Sequence, residues 1–540
     1  MSYTSFAFFV FVTVTAAVYF LLQRTKYQWV ILLIASYVFY MMAGYKYAAF
    51  IILTTASTYL SALWIQRIAD HAAGERAAHK ADWSREEKKA FKLRTDKAKR
   101  RIVVLDVVLN LGILAFLKYY NFFAGSVNSL LALGGASFSL PTLKLFLPLG
   151  ISFYMFQSIG YVLDVSSEKV KAERNFAKVA LFVSFFPQII QGPISFYNQL
   201  AAQLYAPHRF SFTRLKHGCK LIIWGLFKKL VIADRAYIAI KTVLAGYGDY
   251  SGTTLTFTVL LYALQLYTDF SGGIDISRGV AQILGIDMVQ NFRRPYFATT
   301  INDYWRRWHI TLGAWMREYV FYPLALCKSF ASLSKRIKAS RFGASKAGAH
   351  VARVFSSSLA SLIVFFLVGI WHGANWKYVA FGLWNGGVIM LSMLLEPAFV
   401  RLAAALRINT KSRAFLLFQM LRTFVIVFIG YVFDVAADFT SSMYTFRMML
   451  FGQNLSKGLS EIGTLGLSAA DYLVLGVGTA VLFVVSVIQE RHPTESLRVM
   501  LDRRNIVVRH VLALACIMCV LIFGIYGSGY DPADFVYMQF

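Results

Sequence analysis

The strongest constraint in this chain is a succession of apolar runs, each close to the length needed to cross a bilayer. Ser5 to Leu22 is the first, followed by Gln28–Met42 and Tyr47–Ile65. Further runs lie near 102–118, 145–165, 176–192, 219–244, 254–268, 355–371, 376–397, 414–434, 471–488 and 507–526. About 20 apolar residues in helical form span the hydrocarbon core, so these runs read as membrane helices. Composition agrees: 58% of residues are hydrophobic and only 15% charged, against roughly 25% charged in an average soluble protein. A water-soluble fold has nowhere to hide so much apolar surface, and collagenous, disordered and disulfide-stapled classes are excluded as well. The expected fold is an all-α polytopic membrane protein, a single integral membrane domain over residues 1–540, with about 11 to 13 membrane helices. Phe186-Pro187 and Gly192-Pro193 break one run within a few residues. A proline-broken apolar run is re-entrant or buried in protein rather than lipid-facing.

The charges are few and lopsided: 55 Lys+Arg against 27 Asp+Glu, a net +28. In a soluble protein that excess points to nucleic acid. In an apolar chain it is the positive-inside signal, held in cytoplasmic loops against anionic lipid. Membrane lipids are therefore expected partners and nucleic acid is not. Two segments carry much of the excess, 67–101 and 328–353, and both read as cytoplasmic basic loops. Counting back three spans from the first puts the N-terminus outside and Arg24 and Lys26 inside, which satisfies the same rule. Ser5–Leu22 has no basic segment before it and no small-residue cleavage site, so it reads as a membrane helix and not a removable signal. The segment Asn454–Ala470 reads as a loop. Cys219, Cys327, Cys516 and Cys519 have no zinc-like pairing with nearby His, and no metal is expected.

Between Tyr267 and Trp384 polar residues appear where lipid should be. Ionisable groups at membrane depth are costly, so they face cavities and act there. His372 follows a run of Ile, Val, Phe and Leu, and the small residues Gly373 and Ala374 leave room beside it for a ligand. Imidazole suits general-base work near neutral pH; a satisfied structural histidine at a helix end fits the same pattern. His309 lies in an amphipathic Trp/Arg segment, where a hydrogen-bonding role competes with a catalytic one. Asp269, in Tyr267-Thr268-Asp269-Phe270-Ser271-Gly272-Gly273 at the end of an apolar helix, either orients an imidazole or caps the helix. Trp305, Arg306, Arg307 and Trp308 mark an interfacial helix or a cytoplasmic mouth that attracts an anionic donor. There is no His-Glu-x-x-His metal spacing, no Gly-x-Ser-x-Gly elbow and no evident Cys nucleophile.

The run Tyr304-Trp305-Arg306-Arg307-Trp308-His309-Ile310-Thr311-Leu312, with Trp315-Met316-Arg317-Glu318-Tyr319 after it, resembles the membrane-bound O-acyltransferase (MBOAT) family. So do Trp371-His372-Gly373-Ala374-Asn375-Trp376, Gly382-Leu383-Trp384-Asn385-Gly386, Asp269-Phe270-Ser271-Gly272 and Phe185-Phe186-Pro187-Gln188. The closing Tyr530–Phe540 is similar to the ends of bacterial polysaccharide-modifying members. The resemblance implies an MBOAT-like helical bundle with a central tunnel, in a bacterial inner membrane. It implies that His372 is the principal catalytic residue and His309 a second active-site position. Asp269, Ser271, Trp305, Arg306, Arg307, Trp308, Trp371, Asn375, Trp376 and Asn385 are then the expected substrate-binding residues. Gly273 and Asn385 depart from the family pattern, which has Tyr and His there in many members.

The chemistry so implied is transfer of an acyl group, acetyl first, from a cytoplasmic thioester to a hydroxyl. No cofactor is bound; acetyl-CoA or an acylated carrier protein is the co-substrate. The acceptor is an exported cell-surface polysaccharide or a secreted or membrane-anchored partner that modifies it. The alternatives are D-alanyl transfer to teichoic acid from a carrier protein, a transporter of a lipid-linked glycan, and a non-catalytic scaffold.

Overall fold

In the computed structural model the chain is built from helices, with no strand among the described residues, 2–135 and 138–526. Tyr530–Phe540 lies outside the described residues. Among them, six helices are long and apolar enough to cross a membrane: Tyr45–Ala78, Arg85–Leu133, Lys346–His372, Arg413–Val435, Ala469–Arg491 and Ile506–Phe523. Trp376–Leu394 and Glu396–Ala405 make a seventh if the pair, bent by 60°, is one span. Phe6–Leu21 and Gln28–Met41 are apolar but shorter. The all-α polytopic class holds; the expected span 254–268 lies in the 32-residue helix Gly252–Ile283, which is not among the six, and the remaining expected spans are short or interrupted helices.

The basic segments are more ordered than the sequence suggested. Residues 67–101 are not a loop: the helices Ala48–Ala78 and Arg85–Leu133 run through most of them. Ser84 starts the second helix with a capping box, its hydroxyl accepting from Glu87 N while the Glu87 carboxylate accepts from Ser84 N. The Ala, Lys, Glu and Arg that follow are strong helix formers, so charge does not interrupt the helix. Residues 328–353 likewise hold the helix Lys328–Ala339 and the start of Lys346–His372. Asn454–Ala470 contains the short helix Leu455–Ile462, capped by the Asn454 side chain.

The chain divides into two compact units, one of residues 1–219 with 277–289, the other of 220–276 with 290–540. In the first, the proline-broken run is interrupted as expected. Phe176–Ser184 ends at Phe185, and Phe186–Ile189 follows with Pro187 in its first turn. Every residue from 179 to 195 is buried. The carbonyl of Pro187 accepts from Tyr3 Oη at 2.8 Å and from Ser277 Oγ, which supplies partners to backbone that no helix satisfies.

In the second unit two close helix approaches set the site. Gly225 and Gly272 face each other so tightly that a Cβ on Gly225 would lie 2.6 Å from the Gly272 carbonyl oxygen. Just beyond Gly225 the helix loosens into a π segment, Phe227–Ala233. Such wide turns accumulate at functional sites. Here Lys228 and Lys229, adjacent in sequence, are both buried and both held by acids. Lys229 Nζ donates to Asp269 at 2.6 Å and lies 2.9 Å from Asp234. Lys228 Nζ donates to Ser271 Oγ at 2.9 Å and to Asp275 at 2.7 Å. Asp269 sits well inside the helix Gly252–Ile283. It therefore caps no helix end, and the expectation that the apolar helix stops there is corrected.

The second approach joins Lys346–His372 to Trp376–Leu394. A Cβ on Gly369 would meet the Tyr378 carbonyl oxygen at 2.3 Å, and one on Gly382 would meet the Phe365 carbonyl oxygen at 2.5 Å. Small residues let helices close in where lipid gives no hydrophobic drive. This contact fixes the end of the first helix, where His372 sits. Gly387, on the same second helix, faces open space. We expect Gly382→Leu to lower the melting temperature in detergent, by overpacking worth about 1–3 kcal/mol or more. Gly387→Ala should leave it unchanged or raise it slightly. Equal melting curves for wild type and Gly382→Leu would show that the contact does not hold the pair.

Candidate active site

The second unit carries both histidines. His309 precedes the helix Ile310–Met316 with a left-handed backbone, φ 45° and ψ 54°. A side chain other than glycine costs about 1–3 kcal/mol in that region, so something must enforce it. Asn291 does. Its carbonyl accepts from Ile310 N at 2.9 Å. Its side-chain oxygen accepts from Thr311 N at 3.0 Å and from Thr311 Oγ1 at 2.9 Å, and lies 3.2 Å from His309 Nδ1. A backbone N–H can only donate, so the Asn291 atom facing Thr311 is oxygen. The same oxygen requires Nδ1 of His309 to be the protonated nitrogen. A neutral His309 then carries its lone pair on Nε2 and presents an acceptor there. It could donate to an oxyanion from Nε2 only as imidazolium, which weakens its candidacy for that role.

Aromatic rings wall the imidazole. Phe270 packs edge-on at 4.9 Å between centroids, and Trp371 at 6.3 Å. Phe270 follows Asp269, so the lysine–carboxylate cluster holds the helix that presses on His309. His372 closes the helix Lys346–His372 and is buried beside Phe381 at 5.3 Å. Trp371 lies between the two imidazoles in the packing, 6.3 Å from the His309 ring and 5.3 Å from the His372 ring between centroids. Gly373 does not leave room for a ligand: a Cβ there would fall 2.2 Å from the Tyr378 ring, which already fills the space. The opening lies elsewhere. His372, Trp305, Trp308, Asn385, Tyr304 and Asp434 line a narrow pocket together with apolar side chains. Its free volume is about 10 Å³, room for one water-sized group.

The expected substrate-binding residues separate into groups. Trp305, Trp308 and Asn385 line the pocket with His372. Trp371 is buried next to both histidine rings. Asn375 caps the helix Trp376–Leu394, accepting from Lys377 N, which leaves its amide N–H₂ for other work. Trp376 is 58% exposed and does not line the pocket. Asp269 and Ser271 belong to the lysine cluster. Arg307 donates to Asp303 and to Glu490 at 3.0 Å, a structural network that Arg294 joins through the same Glu490; Arg306 is exposed.

Four further residues were not among the expected site residues. Asn291, Tyr304 and Tyr431 are buried around the histidines, Tyr304 and Tyr431 joined by a 2.6 Å hydroxyl contact. Asp434 closes an apolar run, and a lone acid there was a usable signal. Among the described residues no group of three His, Cys, Asp or Glu is placed to hold a metal.

Comparisons with known proteins bear on the family. Residues 170–340 match the membrane-bound O-acyltransferase family. The chain is 30% identical over 477 residues to a "Probable alginate O-acetylase AlgI" of Pseudomonas syringae pv. tomato, covering 88% of this chain and 79% of that protein. It is 32% identical over 319 residues to a "Peptidoglycan O-acetyltransferase" of Helicobacter pylori, covering 53% and 54%. It is 27% identical over 241 residues to a "Teichoic acid D-alanyltransferase" of Bacillus subtilis, covering 44% and 56%. A buried histidine pair in a helical membrane scaffold and similarity across nearly the whole chain lead to one assignment: the protein is a multi-pass membrane acyltransferase and belongs to the membrane-bound O-acyltransferase family.

Proposed function

We propose that this acyltransferase moves an acetyl group from a thioester on the cytoplasmic side to a hydroxyl of a cell-surface polysaccharide, or to a secreted partner that modifies it. The observation that carries the reading is the buried His372, opening on a pocket with room for a hydroxyl-sized group. D-alanyl transfer draws less support, because the teichoic acid relative matches under half of this chain whereas the alginate relative matches most of it.

The chemistry follows from the groups present. The hydroxyl oxygen attacks the thioester carbon while His372 takes the hydroxyl proton. The tetrahedral intermediate then expels the thiolate, which recovers that proton from His372, leaving an ester and a free thiol. A positioned base of this kind contributes about 10²–10⁴ in rate. Negative charge gathers on the former carbonyl oxygen, and donors aimed at it in a water-poor site lower the barrier. Trp305 Nε1, buried with no partner among the described residues, and the Asn375 amide are the candidates. His309, held by Asn291 and packed against Trp371, supports the site from behind that ring. The donor is acetyl-CoA or an acylated carrier protein, with Arg306 at its mouth, in a bacterial inner membrane with the basic helices inside and the N-terminus outside.

Inverted membrane vesicles supplied with labelled acetyl-CoA test the transfer. His372→Ala should reduce labelled glycan at least about 10²-fold, at equal amounts of folded protein. Undiminished labelling would remove His372 from the reaction. Asn291→Ala should cut the rate less, about tenfold, by releasing the strained His309 turn; a variant as active as wild type would show that the clamp is idle. For orientation, Lys92→Cys should react with a membrane-impermeant maleimide only after cells are opened. Labelling in intact cells would reverse the topology.

A further inference from the structure

Asp434 is the one acidic side chain that lines the pocket, and the acyl-transfer chemistry above does not use it. It closes the helix Arg413–Val435 and is 5% exposed. One carboxylate oxygen accepts from Tyr262 Oη at 2.8 Å. The other is buried and has no hydrogen-bond partner among the described residues. Lys377 stands nearby, but its ammonium is taken by the main-chain carbonyls of Asp434 at 2.9 Å and Ala436 at 2.6 Å. It neutralises the region without covering that oxygen. A buried acceptor left unmade costs about 1–3 kcal/mol, and an acid at membrane depth is costly unless it acts on something. The arrangement is a wall acceptor, held at one oxygen and open at the other, in the pocket that also contains His372.

What suits it is a group that donates a hydrogen bond. The reacting hydroxyl is not that group, because its proton goes to His372. Resting on the acyl-transfer reading, we propose that Asp434 accepts a hydrogen bond from a second hydroxyl, next to the one that is acylated, so that the acceptor is a vicinal diol of a carbohydrate. Tyr262 fixes the carboxylate rotamer, and the free volume of about 10 Å³ holds a single hydroxyl-sized group, so the second hydroxyl enters beside Asp434 while the ring and the reacting hydroxyl stay at the pocket's edge. An isolated hydroxyl, such as a serine of a relay protein, makes no use of this oxygen. Asp434 is thus a specificity residue, and the pocket selects its substrate by pairing a buried acceptor that would otherwise stay unpaired.

The test compares acceptors rather than rates alone. The full chain in detergent or vesicles is given acetyl-CoA with methyl α-mannopyranoside or its 2-deoxy and 3-deoxy analogues. Wild type should lose roughly tenfold or more in kcat/KM for an analogue lacking the neighbouring hydroxyl. Asp434→Asn turns an amide N–H₂ toward the pocket in place of the acceptor. It should bring parent and deoxy acceptors within about twofold of each other, raise the acceptor KM and leave the acetyl-CoA KM in place. Tyr262→Phe, which keeps the carboxylate but frees its rotamer, should reduce the discrimination partway and serves if Asp434→Asn does not fold. Discrimination as strong in Asp434→Asn as in wild type overturns the proposal. So does an equal loss for all acceptors, which would mark a merely structural carboxylate, and so does a wild type that ignores the missing hydroxyl while still acetylating all three. A wild type that acetylates none of them overturns the proposal, and the acyl-transfer reading falls with it only if the same vesicles also transfer no label from acetyl-CoA to endogenous glycan or protein.

Discussion

A polar group at membrane depth has no water to turn to and must find its partner within the protein or in a substrate. The second unit is organised around this constraint. Lys228 and Lys229 are tied to Asp275, Ser271, Asp269 and Asp234. Arg307 and Arg294 share Glu490. Apart from Lys229–Asp234, five residues apart, each pairing joins residues at least 40 apart in sequence, so these charges act as ties between helices. Replacing one partner would leave an uncompensated buried charge, which typically costs about 3–5 kcal/mol.

The active site is the part of this scheme that is left poised. Asn291 uses one oxygen to hold a strained turn and to set which nitrogen of His309 carries the proton. Close approach at Gly369 and Gly382 sets the end of the helix that bears His372. Around both rings the walls are largely aromatic, and Asn385 and Asp434 are polar exceptions that line the His372 pocket. Electrostatic interactions are strong in such surroundings, and a rigid frame holds the donors in place before reaction.

Much of this was legible in the sequence, for reasons that differ between elements. Apolar length announced the spans, and the Pro187 break was readable because proline lacks an N–H. His372 and His309 stood out as ionisable residues against apolar or aromatic neighbours. The basic segment 67–101 was misjudged in conformation, since charge reports on sidedness while Ala, Lys and Glu propensity decides helix. Gly373 was misread as open space because sequence does not show that Tyr378 folds back over it. Asn291, Tyr304 and Tyr431 were not singled out as site residues, because their roles exist only once distant segments meet. Arg307, expected beside Arg306 as a steering charge, is instead paired with Glu490, some 180 residues further along the chain, a partner that spacing in sequence does not announce.

The central claim is that His372 acts as the base in O-acylation of a cell-surface glycan. Mass spectrometry of the surface glycans from cells that depend on this chain tests it most directly, comparing wild type with His372→Ala at matched membrane levels. The account predicts ester-linked acetyl on the glycan in wild type and its loss in the variant, with the glycan backbone unchanged. Acetyl ester at the wild-type level in the variant would contradict it.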